Sequence, residues 1–450
     1  MSRYTRLSYI SLALAISVGL NGCGGGDDDN SSNVKVYTPK EISMKSNRDY
    51  KDNTYGVITA ETLSKWINDW NNTKPEGVEG RLVVLQAGAV GFDNNATFLP
   101  HNDQNVFVYA IPGGGSCDPS YMRYDGFSQT PGAMVSGENI DRNINYFQLD
   151  PKKDFVVFAV AEGSSAIREI TRTWWSMVYW GWDLKRLAFL NGSVAYNFAQ
   201  NKSYLEAKPS ATPKMEKEYH MRDLKTDRTA LHLYIDEMME LAKKEDQSGY
   251  FIVDARGSAE YNGSKGSKSV SKSCGPNHDE QCYTAYRGHV KGAVDFPYTD
   301  ILVTDDAVED LNGDGTVDTK DASYKFKSYD DLVSLYAAKG YKEGDMVVAY
   351  CRTGRKSTLS ALTSVTVLGY PYRMYDGSWM QWGMMAHAQD TNGSYIMPED
   401  AAHRTDVDGY STVISYNDSQ YINPKDIYEI NLTATSAQKI KEEDKAYLNQ

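Results

Sequence analysis

One pattern is written twice in this chain of 450 residues: a short apolar run, a loop, and the start of a helix. In the second copy Met346–Tyr350 runs straight into Cys351-Arg352-Thr353-Gly354-Arg355-Lys356-Ser357, and a helix is expected from Ser357. In the first copy Asp154–Phe158 is the apolar run, and VVFAVAEGSSA aligns with VVAYCRTGRKS, which sets Val160 under Cys351 and Gly163 under Gly354. Continuous apolar runs of this length are strands buried on both faces of a parallel sheet. The flanks repeat too. Strand Tyr250–Asp254 follows a helical pattern over Leu231–Lys244, and Arg81–Gln86 follows the helix led by Tyr55–Thr59. Thr130-Pro131-Gly132-Ala133 echoes the turn in HVKGA (289–293), and Phe189–Ser193 echoes Tyr375–Ser378. Strands alternating with helices over such spans imply an α/β fold of two tandem domains, each a parallel sheet with helices on both faces.

The expected boundaries are 51–205 for the first domain, 206–227 for a polar linker, and 228–390 for the second domain. Residues 391–450 form an extension rich in Tyr, Asp and Asn, to which the sequence assigns no role. Residues 1–22 read as an export leader: Arg3 and Arg6, then an apolar stretch from Ile10 to Leu20, too short to span a bilayer. Leu20-Asn21-Gly22-Cys23 resembles a bacterial lipobox, which implies cleavage before Cys23 and a lipid on that residue; a plain secretory leader is the alternative. Residues 23–50 then form a tether, flexible at least from Gly24 to Asn33. The expected location is the outer membrane or cell surface of a bacterium, on the periplasmic or extracellular face. The lipid is the expected contact with the membrane. The net charge of -13 argues against nucleic acid as a partner, and any anionic substrate needs a local cluster of cations.

That cluster surrounds Cys351. Arg352, Arg355 and Lys356 stand within five residues of it, Gly354 lets the backbone turn, and Thr353 and Ser357 add hydroxyls. A loop between strand and helix can curl its N–H groups around an anion, with the helix N-terminus behind them. Such surroundings favour the thiolate, the reactive form of cysteine. Of the other cysteines, Cys274 and Cys282 bracket a polar stretch and are either a loop-stapling disulfide or two free thiols. Cys117 is left odd.

Four motifs in order resemble the rhodanese family, in particular its tandem-domain thiosulfate and mercaptopyruvate sulfurtransferases: DAR at Asp254–Arg256, HVKGAVDFP at His289–Pro297, CRTGRKS at Cys351–Ser357 and YDGSW at Tyr375–Trp379. The resemblance covers about residues 228–388 well and 55–200 weakly. It implies that Cys351 takes a sulfane sulfur from a small sulfur-containing anion and passes it to a thiophilic acceptor, with no organic cofactor. Residues 352–357 would cradle the substrate. Arg256 is counted with the substrate-binding residues; with Asp254 it either supports that cradle or is an ordinary salt bridge. Basic residues after the cysteine resemble the thiosulfate-using branch. The phosphatase-like relatives carry arginine six residues after the cysteine, where this chain has Ser357. Val160 leaves the first domain without a nucleophile. Two rivals remain: a non-catalytic module binding sulfur or selenium species or a redox partner, and a phosphatase or oxyanion reductase using the same loop.

A second candidate site lies inside the second domain. Asp310, Asn312, Asp314, Asp318 and Asp321 fall at positions 1, 3, 5, 9 and 12 of an EF-hand loop, with Gly315 at the turn and Thr316 offering its carbonyl. The closing Asp resembles dockerin-type loops. A structural Ca²⁺ is expected there, the alternative being an acidic, solvated turn.

Overall fold

The computed structural model describes residues 33–450, except 92–95, 112–120, 164–165, 269–282, 391, 408, 417–424 and 426–427, and except the side chains of 413 and 414. The leader, Cys23, Cys117, Cys274 and Cys282 lie outside the described residues.

Two five-stranded parallel sheets carry the fold. The first contains β1 (Gly56–Ile58), β2 (Leu82–Ala87), β3 (Val106–Ile111), β4 (Phe155–Val160) and β5 (Leu187–Leu190), in the order β1-β5-β4-β2-β3. The second contains β6 (His232–Leu233), β7 (Tyr250–Asp254), β8 (Val294–Asp295), β9 (Met346–Tyr350) and β10 (Tyr372–Tyr375), in the order β6-β10-β9-β7-β8. The two orders are the same, so the chain is a tandem duplication. The central strands β2, β4 and β9 are buried almost throughout, as their uninterrupted apolar runs require. The register supports the aligned loops: Val157 lies opposite Val84 as Val348 lies opposite Ile252, so Val160 ends β4 where Cys351 follows β9.

The third strand departs from the expected repeat. In the second domain it follows the Gly292 turn, whereas in the first it is β3, upstream of the matching Gly132 turn. Gly132 and Gly292 both have positive φ, +85° and +82°, so the turn is kept although the strand after it is not.

Helices α1 (Ala60–Asn68), α2 (Gly137–Tyr146) and α3 (Ala166–Tyr179) belong to the first domain, and α4 (Ile235–Lys243), α5 (Tyr329–Ala338) and α6 (Ser357–Leu362) to the second. The two helices that follow the equivalent loops, α3 and α6, pack on each other, and the Thr358 hydroxyl donates to that of Thr171 at 2.9 Å. A single apolar cluster runs through this seam, joining Trp174 and Trp175 to Leu359, Val365 and Met374. A π-helical turn, Thr363–Val367, continues α6.

Packing starts earlier than the expected end of the tether at residue 50. Lys35–Val36 pairs with Thr226–Asp227, and Ile42 and Tyr50 are buried, because apolar side chains next to a core are drawn under cover. The extension packs as well. Ser411–Tyr416 pairs antiparallel with Tyr286–Val290. Backbone bonds from Gln129 to Glu429 and from Asn431 to Phe127 tie the extension to a first-domain hairpin, Met122–Tyr124 with Gln129–Pro131. The last helix, α7 (Lys439–Leu448), wedges between the domains. On one side Tyr447 donates to Asp141 at 2.6 Å, and Asp444 is held by Arg123 at 2.8 Å and by the Tyr179 hydroxyl at 2.7 Å. On the other side Lys441 meets Glu237 at 3.0 Å.

Asp444 is almost fully buried, and burial pushes its carboxyl upward against the pull of Arg123. Arg123→Met is therefore expected to destabilise the protein by about 3–5 kcal/mol at pH 7, the usual cost of stranding one partner of a buried pair. The loss should shrink at pH 5, where Asp444 can take a proton. Urea unfolding at both pH values checks this, and an equal loss at both would contradict it.

Candidate active site

Cys351 leaves the carboxyl end of β9 and is 1% exposed. Two neighbouring segments fix its backbone. The Ser378 hydroxyl accepts the Cys351 N–H at 3.3 Å, and the Trp379 N–H donates to the Cys351 carbonyl at 2.9 Å. Met380 N–H does the same for the Arg352 carbonyl at 2.9 Å. Ser378 sits at φ +50°, a left-handed conformation that costs a non-glycine residue about 1 kcal/mol or more, and its hydroxyl donates back to the Tyr375 carbonyl at 3.1 Å. Strain of this kind persists only where the surroundings enforce it.

The loop beyond Cys351 is almost wholly buried: Thr353, Arg355 and Ser357 are each 5% exposed or less. Gly354 takes φ +71°, as the turn requires. Ser357 opens α6 with its hydroxyl 3.9 Å from the Cys351 sulfur and 3.2 Å from that of Met374. Among the described residues, the backbone N–H groups of Arg352, Thr353, Gly354 and Lys356 have no hydrogen-bond acceptor. Buried N–H groups are rarely left so, and together they can serve an anion held at the sulfur.

The three loop cations are not equivalent. Arg355 is ion-paired with Glu169 of α3, and Lys356 lies 3.5 Å from Glu260. Burial pushes the Glu260 carboxyl up, but Lys356, Arg256 and the Ser267 hydroxyl more than offset it and hold it ionised. Arg352 is partly exposed and makes no contact ion pair among the described residues, though its charge also reaches Glu260. Neither Glu169 nor Glu260 was legible in the motifs; each comes from a distant element.

Arg256 is placed behind the cradle and not in it, which corrects its assignment as a substrate-binding residue. Its nitrogens are committed to Asp254 at 2.6 and 2.9 Å, to the Gly288 carbonyl at 2.7 Å and to the Ser267 hydroxyl at 3.0 Å, and its guanidinium lies 4.2 Å from the Trp379 ring centre. Each of its nitrogens has an acceptor, and the guanidinium is braced against the Trp379 loop.

The first domain contributes directly, which the sequence did not reveal. Its Gly132 backbone lies against Thr353, its Tyr121 ring lies beside Arg355 and Arg172, and Met134 N–H donates to Asp376 at 2.6 Å. Arg172 of α3 also reaches Asp376, at 2.9 Å. Next to Arg355 opens a cavity of about 300 Å³, lined from the first domain by Tyr121, Phe147, Glu169, Ile170 and Met177 among others.

His232, fully buried, faces Asp376 from β6 with Nδ1 at 3.5 Å from the carboxylate. The indole of Trp175 donates to His232 Nε2 at 2.8 Å, and indole N–H can only donate, so Nε2 is unprotonated and the ring's proton sits on Nδ1. Burial pushes the His232 pKa down against the pull of Asp376, while Arg172 and Arg373 push the same way as burial. Asp376 is itself held below the usual carboxylate range, its burial being offset by the Arg172 guanidinium and the Met134 N–H.

The calcium candidates are brought near one another and are engaged by the loop's own N–H groups and by Lys320. Asp310 accepts the N–H groups of Gly313 and Gly315, both at 2.7 Å, and Asp321 accepts those of Leu311 and Asp318, both at 2.9 Å. Asp314 pairs with Lys320 at 2.7 Å, its N–H donates to Asn312, and Thr316 N–H donates to Asp314. No group of three or more acidic, His or Cys side chains is gathered for an ion among the described residues. The segment covers the first domain's loop, with Gly163 N–H donating to the Lys320 carbonyl at 3.0 Å. A Cβ at Gly163 would fall 2.7 Å from the Thr319 and Ala322 carbonyls.

Comparison with known proteins agrees with the second domain. Residues 236–385 match the model of the Rhodanese-like domain. A protein of Mycolicibacterium smegmatis named "Putative thiosulfate sulfurtransferase" is 27% identical over 191 residues, 42% of this chain and 58% of that protein. The sulfur carrier protein TtuD of Thermus thermophilus is 30% identical over 156 residues, 34% of this chain and 45% of that one. The chain thus spans about half the length of these relatives. Among solved structures, Tum1 of Saccharomyces cerevisiae has a TM-score of 0.48 at 15% identity, covering 73% of this chain and 95% of its own.

One pH dependence follows from His232. The folded protein keeps it neutral, while the unfolded chain protonates it below about pH 6.5. Its contribution to stability is therefore present above that value and is lost as pH falls. The melting temperature should drop between pH 7 and pH 5, and His232→Gln should flatten the slope; identical slopes would contradict the assignment.

Proposed function

We propose that this chain, with its rhodanese-like domain at residues 236–385, is a sulfurtransferase that carries sulfane sulfur on Cys351. The observation that carries the reading is the set of uncommitted N–H groups of Arg352, Thr353, Gly354 and Lys356 in the largely buried loop that follows the thiol. Such a cradle suits a thiolate, a persulfide or the oxygens of a small anion. The Cys351 thiolate attacks the outer sulfur of a donor such as thiosulfate. A new S–S bond forms, the donor's own S–S bond breaks, and sulfite departs with the electron pair. A thiophilic acceptor such as cyanide then attacks the outer sulfur of the persulfide, and the thiolate returns. Arg352 meets the donor's negative charge, being the partly exposed loop cation that makes no contact ion pair among the described residues. The first domain, with Val160 in place of the thiol, acts as a wall of the site.

The remaining expectations enter here as proposals. The lipid on Cys23 tethers the protein outside the cytoplasm; among the described residues no helix is long and apolar enough to cross a membrane. A structural Ca²⁺ occupies the loop of Asp310, Asn312, Asp314, Thr316, Asp318 and Asp321, and binding it displaces Lys320 from Asp314. Millimolar calcium should then raise the melting temperature, and Lys320→Met should increase its affinity. A melting curve insensitive to calcium and chelator would leave the loop as an acidic turn.

For the reaction itself, thiocyanate formation from thiosulfate and cyanide is expected to follow a two-step pattern through one sulfur-loaded state. Cys351→Ser should lower it by about three orders of magnitude or more while the fold is retained. Undiminished turnover in that variant would refute the assignment.

A further inference from the structure

Arg172 belongs to the domain without a nucleophile, yet its contacts converge on the Cys351 loop. It is 1% exposed. Nη2 donates to the Gly132 carbonyl at 2.7 Å and to Asp376 at 2.9 Å. Nη1 donates to the Gly354 carbonyl at 3.3 Å and lies 3.6 Å from the Met374 sulfur. Nε has no acceptor among the described residues. A buried guanidinium with one donor unused is a poor device for stability alone, since desolvating such a charge is costly and an aliphatic side chain would fill the space.

Its placement answers a geometric need of the loop. When successive N–H groups turn inward on an anion, neighbouring carbonyls must turn outward, and in a buried loop those carbonyls need donors. The Gly354 carbonyl is turned onto Arg172. A Cβ on Gly354 would fall 3.0 Å from Nη1, and one on Gly132 would fall 2.5 Å from the Thr353 carbonyl. The same cation holds Asp376, which begins the segment whose Ser378, Trp379 and Met380 bind the backbone of Cys351 and Arg352. Arg172 thus touches both flanks of the nucleophile, and no hydrogen bond joins it to the Cys351 sulfur.

We propose that Arg172 is a positioning residue for sulfur transfer, supplied across the domain boundary, which sets the peptide planes of the Cys351 loop so that its N–H groups face the sulfur. The inference rests on the reading of Cys351 as the sulfur carrier. It predicts a loss in the rate of chemistry and not in the capture of the donor.

The test is single-turnover sulfur loading of the full chain by thiosulfate, monitored by intact mass, alongside thermal melting. Arg172→Lys keeps the charge but cannot span Gly132, Gly354 and Asp376 together. Arg172→Met with Asp376→Asn removes both charges, so no ion is stranded if the lysine variant fails to fold. In a folded variant the saturating loading rate should fall about tenfold or more, while the half-saturating thiosulfate concentration changes less than about threefold. Folded variants that load within about twofold of the wild-type rate would overturn the positioning role, as would a rise in half-saturation alone. If neither variant folds, Arg172 is a determinant of the fold and the proposal is wrong. A wild-type chain that takes up no sulfur overturns the reading of Cys351, and this inference with it.

Discussion

Asp376 is a buried carboxylate placed where the two domains meet, and the Cys351 loop is organised around it. It accepts the Met134 N–H and the Arg172 guanidinium from the first domain and faces the Nδ1 of His232. A carboxylate this deeply buried stays ionised only because those partners outweigh its desolvation. Three residues later in the same turn, Trp379 holds the Cys351 carbonyl. The interdomain seam and the backbone of Cys351 are therefore one hydrogen-bonded system, which explains why a domain with valine at the matching position still borders the candidate site.

Much of this was legible in the residues. Apolar runs such as VVFAV and MVVAY fix buried parallel strands, and the glycine two residues past an adjoining basic residue marks the loop, so the two-domain α/β fold and the place of Cys351 followed directly. The third strand of the first sheet was missed although VFVYAI is a plain strand sequence, because the second copy places its counterpart after the glycine turn. Arg172 was hidden differently. An arginine on a helix ordinarily faces water, and its neighbours one turn away, Arg168, Glu169 and Ser176, are polar, so the local pattern gives no sign that this one is buried. Pairings such as Arg355 with Glu169 and Lys356 with Glu260 join residues far apart in the chain, and no local pattern encodes them.

The pairing of two loop cations also changes the electrostatic picture. Three positive charges in sequence suggest a strongly cationic pocket, but carboxylates cancel two of them at contact distance. What remains beside the sulfur is mainly backbone: uncommitted N–H groups, whose dipoles act at short range and are little screened in a buried site. On the proposed function, an acidic protein would serve an anionic donor through a local site of modest charge. The C-terminal extension and the acidic loop work at a distance from this chemistry. One stitches the hairpin leading to Gly132, and the other covers the first domain's loop at Gly163.

The claim on which the account turns is that one sulfur atom resides on one cysteine. Incubating the protein with thiosulfate, removing the donor, and mapping the peptides by mass decides it. The account predicts a gain of one sulfur on the peptide containing Cys351, lost again on treatment with cyanide. A protein of unchanged mass, or sulfur found instead on the peptides of Cys117, Cys274 or Cys282, would contradict it.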